Sequence, residues 1–65
     1  MEVRIYDRKD FSLIANETYS FRAMQSVIKQ TEIVLRVSNI EYEKVILPKG
    51  AVIVTENRYY IFTEA

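Results

Sequence analysis

The chain contains no cysteine and no histidine, so neither a disulfide nor a cysteine- or histidine-ligated metal can staple it, and burial must hold the fold together. That is a severe demand on 65 residues. Conformational entropy opposes folding by roughly 1.5 kcal/mol per ordered residue, on the order of 100 kcal/mol in all. A domain of this size buries only about 60% of the surface its unfolded chain exposes. The composition answers with 49% hydrophobic residues, five Tyr and three Phe. A second copy of the chain would supply further buried area, so a homodimer or higher homo-oligomer is expected.

The same absences bear on chemistry. With Gly50 as the sole glycine and no tryptophan, the chain cannot assemble an imidazole, a thiolate or a glycine-lined phosphate cradle from its own residues. The expectation is a non-enzymatic chain with no cofactor and no metal. Nine acidic and nine basic residues cancel and are interspersed, which argues against nucleic acid as the partner, because phosphate binding draws on an excess of Lys and Arg. Apolar runs such as Ala51 to Val54 fall far short of the roughly 20 residues a bilayer requires. Met1-Glu2-Val3-Arg4 has neither the basic nor the apolar region of a signal peptide, and a cytoplasmic location is expected.

Local patterning is mostly that of strands. Val3 and Ile5 alternate with Glu2, Arg4 and Tyr6, Asp7 to Asp10 forms a charged turn, and Phe11, Leu13 and Ala15 continue a hairpin that Asn16-Glu17-Thr18 closes with a second turn. The segment 20–30 is ambiguous. Phe21, Met24 and Ile28 sit at helical spacing, whereas Tyr19, Phe21 and Ala23 alternate, and Ser20 has no Glu or Gln three residues later to complete a capping box. Strand or irregular β is favoured there, with helix the alternative. Ile33, Leu35 and Val37 alternate with Glu32, Arg36 and Ser38 and read as the best strand in the chain. Ile40 to Leu47, Ala51 to Thr55 and Tyr59 to Thr63 read as three more strands. Pro48-Lys49-Gly50 forms a turn in which Gly permits a positive φ, and Glu56-Asn57-Arg58 forms another. The fold class expected is all-β: one domain, 1–65, made of a small antiparallel meander or partly open barrel of five to seven strands. The alternative is α+β with one helix near 20–30.

Few residue groups suggest chemistry. The pairs Asp7/Asp10 and Glu41/Glu43 lack the further oxygen donors and glycine loop of a calcium site and read as solvated carboxylates. Ser26-Val27-Ile28-Lys29 has the bare Ser-x-x-Lys spacing of one class of nucleophile, and Asn16-Glu17-Thr18 the bare pattern of a glycosylation acceptor. Patterns this short arise readily by chance. Arg58-Tyr59-Tyr60-Ile61-Phe62 is locally unusual, because three aromatics on one short strand must present rings on both faces. Tyr59, Tyr60 and Phe62 are therefore the candidate interface. A terminal strand in a meander is often an edge, and edges can pair with another chain.

Val3-Arg4-Ile5-Tyr6-Asp7 followed by Phe11, Leu13, Ile14 and Tyr19, and then Glu32-Ile33-Val34-Leu35-Arg36-Val37, resembles the N-terminal hairpin of baseplate hub proteins of long-tailed bacteriophages, and small phage-encoded β proteins that share that opening. Thr31 stands where that family usually has Gly. The resemblance implies a phage or prophage origin. The function expected is a protein-binding module that inhibits a host or defence protein by occlusion, with a tail or baseplate component as the alternative. A third possibility is small-ligand or nucleic-acid binding at an oligomer interface.

Overall fold

The computed structural model, which describes residues 1–64, is an open antiparallel sheet of five strands with one helix across a single face. Strands β1 (Glu2–Asp7) and β2 (Leu13–Thr18) form a hairpin. A 3-10 turn (Phe21–Ala23) leads into helix α1 (Met24–Val37), and β3 (Tyr42–Leu47), β4 (Gly50–Thr55) and β5 (Arg58–Thr63) follow. The order across the sheet is β2-β1-β5-β4-β3, so the last strand returns to the middle and pairs with both β1 and β4.

The core lies between helix and sheet. Met24, Ile28 and Leu35 form the buried stripe of α1, and beneath them lie Met1 and Val3 of the first segment, Ala51 and Ile53 of β4, and Phe62 of β5. Positions 24, 28, 31 and 35 share one helical face, and Thr31 bonds its hydroxyl back to the Val27 carbonyl at 3.0 Å. The segment 20–30, where the pattern favours strand or irregular β over helix, holds the 3-10 turn and the first half of α1, and the stretch from Glu32, expected as the strongest strand, forms the rest of the helix to Val37. Its alternation of Ile33, Leu35 and Val37 loses to the longer helical stripe that begins at Met24. Only Leu35 of the three is buried, while Val37 is 78% exposed.

The helix ends without glycine. Asn39 adopts φ 57°, the Asn39 N–H donates to the Arg36 carbonyl at 3.0 Å, and the Ile40 N–H to the Leu35 carbonyl at 2.9 Å. This is the double closure of a Schellman motif, with Asn in the position glycine usually takes.

Three further expectations are corrected. Asn16-Glu17-Thr18 is not a turn but half of β2, paired residue by residue with Arg4, Val3 and Glu2. Gly50 has no positive φ; it is required because a Cβ there would lie 2.0 Å from the Phe62 carbonyl oxygen. The terminal strand is not an edge but the centre of the sheet, and the edges are β2 and β3.

Candidate interaction surface

Strand alternation assigns every sheet residue to one of two faces. Val3, Ile5, Tyr60, Phe62, Ala51 and Ile53 turn toward the helix and form or pack against the core. Their neighbours turn away, onto a face that no element covers among the described residues. On this open face the register aligns Arg4, Ile61, Val52 and Val45 in the middle row. Tyr6, Tyr59, Val54 and Glu43 lie in the row at one end, and Glu2, Thr63, Gly50 and Leu47 at the other. The side formed by β5, β4 and β3 is thus predominantly apolar. The β1–β2 side is polar, with the Glu2–Arg4 ion pair at 3.0 Å and Asn16 and Thr18 beside it.

The β1–β2 loop leans over one end of this face. Asp7 Oδ1 accepts the Lys9 N–H at 2.8 Å, and Asp10 Oδ1 accepts both the N–H and the hydroxyl of Ser12, at 3.0 and 2.7 Å. The Ser12 hydroxyl first, then its N–H, holds the Asp10 carboxyl below the ordinary carboxylate value. The two aspartates therefore build the turn. The turn delivers Phe11, at φ 61° and 61% exposed, onto Tyr6 and Tyr59 with ring centroids 4.9 and 5.6 Å away. A bulky residue in the left-handed region is strained by about 1 kcal/mol or more, and here the strain presents an exposed aromatic.

The sequence-predicted interface residues separate. Tyr59 lies on the open face inside the aromatic cluster, with the Arg8 guanidinium 6.0 Å above its ring. Tyr60 lies on the helix side, packed against the core. Phe62 is wholly buried beneath the helix and reaches no partner while the domain is folded. The members of the open face that sequence reasoning missed are Val45, Val52, Val54 and Ile61. Their runs looked like core strands, and only the strand order shows which face the helix takes.

On the helix side, an open depression of about 1370 Å³ lies between the end of α1 and strands β3 to β5. Three arginines, Arg8, Arg36 and Arg58, and three glutamates, Glu41, Glu43 and Glu56, are among its lining residues, so the charges of the lining cancel. Ser26 and Lys29 are exposed on the helix surface. Among the described residues no cluster of three metal-binding side chains occurs, and no helix is long and apolar enough to cross a membrane. No protein-family model, curated protein or solved structure matches the chain.

Proposed function

We propose that the chain is a non-enzymatic protein-binding module that works through the open face of its sheet. The observation that carries this reading is the row Ile61, Val52, Val45, which continues the apolar surface across three strands on the side opposite the helix. Strand spacing and rise give the three-strand apolar part of the face about 14 Å by 20 Å, close to 300 Å² before side-chain relief is counted. Contiguous apolar patches of about this size are among the largest that soluble domains leave uncovered, and they are often contact sites. The polar β1–β2 side forms a rim to the apolar part, the usual division of a protein interface. Tyr59 and Phe11 supply aromatic area of the kind that dominates such contacts.

A short neutral chain with this face can occlude the surface of a larger protein. Together with the resemblance of its opening hairpin to phage proteins, that supports inhibition of a host or defence protein as the working role. The test is quantitative capture with tagged wild type and with Val52→Lys, which sets a charge in the middle of the apolar row. A partner retained by the wild type and depleted at least tenfold with Val52→Lys is expected. Equal retention by both would contradict the assignment of this face.

A further inference from the structure

The sheet has two edges, and they differ. On β2 the register slips opposite Ile5 and Tyr6, leaving Ile14 without a partner, and the strand ends in the polar Asn16-Glu17-Thr18. Bulges and polar edges discourage pairing with another chain. β3 has no bulge, and its charges, Glu43 and Lys44, are confined to its first half. Its ladder to β4 is unbroken over six residues, it contains no proline, and its consecutive Val45, Ile46 and Leu47 are 51%, 70% and 37% exposed. A regular apolar edge of this kind is a template for a further strand.

We propose that β3 is a self-association strand: two copies join edge to edge, antiparallel about a two-fold axis at Val45, into one continuous sheet with both helices on the same side. Backbone direction and charge select this register. Leu47 and Gly50 close the two-residue turn Pro48-Lys49 and so exchange hydrogen bonds. The alternation of an antiparallel ladder then turns the backbone groups of Leu47, Val45 and Glu43 toward β4 and those of Lys44 and Ile46 outward. Opposed residues must share a face, which leaves only registers centred on one residue. Centring on Glu43 or Lys44 sets like charges directly opposite each other. Centring on Ile46 leaves one fully bonded outward pair, Ile46 with its copy, because Lys44 then meets Pro48, which has no N–H to donate, whereas centring on Val45 keeps two such pairs and meets Pro48 only at the strand end, opposite Tyr42. Centring on Val45 sets Lys44 opposite Ile46 twice, so that outward groups meet outward groups, and packs Val45 against its own copy. The pairing also places the two open faces side by side, and it stands independently of what binds there.

One strand pair buries less area than a standard interface, so the dimer is expected to form in the micromolar range and above. The wild-type chain is tested by sedimentation and amide hydrogen exchange between about 10 µM and about 1 mM. A dimer should form with concentration, and the Lys44 and Ile46 amides should gain protection of at least tenfold while the outward amides of β2 do not. Val45→Lys and Val45→Glu should each be monomeric and, mixed, should restore a heterodimer. Ile46→Pro removes an outward N–H without touching the β3–β4 ladder and should also be monomeric. Unfolding midpoints identify any variant that fails to fold. A chain that stays monomeric to about 1 mM, a dimer without new protection at Lys44 and Ile46, or charge variants that do not recombine would each overturn the proposal.

Discussion

Gly50 and Asn39 show how single residues carry this fold in ways composition does not reveal. Gly50 is required by proximity, since the carbonyl of Phe62 occupies the space a side chain would need. Gly50→Ala forces β4 from β5 at the edge of the core and is expected to cost about 1–3 kcal/mol, the range for overpacked sites, read as a lower denaturation midpoint. An unchanged midpoint would mean that the strands approach less closely there. Asn39 was legible as a turn residue; its role as the helix stop was hidden, because asparagine substitutes for the more recognisable glycine. The aromatic strand was legible as two-faced. Which ring goes where follows from the helix, so Phe62, named as an interface candidate, is core.

At the scale of elements, α1 is fastened to β3 by one polar cluster. Glu32 accepts hydrogen bonds from Lys44 Nζ at 3.1 Å and from the Tyr42 hydroxyl at 3.0 Å, across the gap between helix and sheet. The Lys44 bond first, then that of Tyr42, holds the Glu32 carboxyl below its ordinary 4.5 against the opposing effect of burial. The Tyr42 phenol is pushed up by burial and by the same carboxylate. Folding lowers the Glu32 pKa, so its contribution is fully present above the unfolded-state value and is lost as pH falls through the folded-state value. Glu32→Gln should therefore be less stable than wild type at neutral pH by about 0.5–1 kcal/mol. The difference should shrink below about pH 4.5 as the wild-type carboxylate protonates, measured by urea unfolding across pH. A pH-independent difference would show that the cluster acts through packing alone. The helix itself was half legible. The spacing of Met24 and Ile28 offers its start only as the alternative to a favoured strand, exposed β-branched Ile33, Val34 and Val37 imitate a strand, and local alternation cannot reveal that the five strands elsewhere already complete the sheet.

For the whole molecule, the decisive fact is strand order. The opening hairpin and the three later strands were readable from period-2 patterning and turn residues. The return of β5 to the centre was not, because it is a long-range pairing with β1 that leaves no local signal. That return transfers the exposed edge from the C-terminal strand to β3 and leaves one sheet face to the helix and the other open. Val52→Lys, at the middle of the open face, should keep unfolding stability within about 1 kcal/mol of wild type while removing binding, as expected of a half-buried position whose longer side chain can carry its ammonium to solvent. A large loss of stability would mean that Val52 is core rather than contact surface.

The open face is the surface proposed to make this protein's contacts. The most direct measurement places a photo-crosslinking side chain at position 52 or, in a second variant, at the exposed helix position 29, and compares the adducts formed in the producing cell. A discrete protein adduct from position 52 that is absent from position 29 is expected. Adducts from position 29 alone, or the same adducts from both, would contradict it.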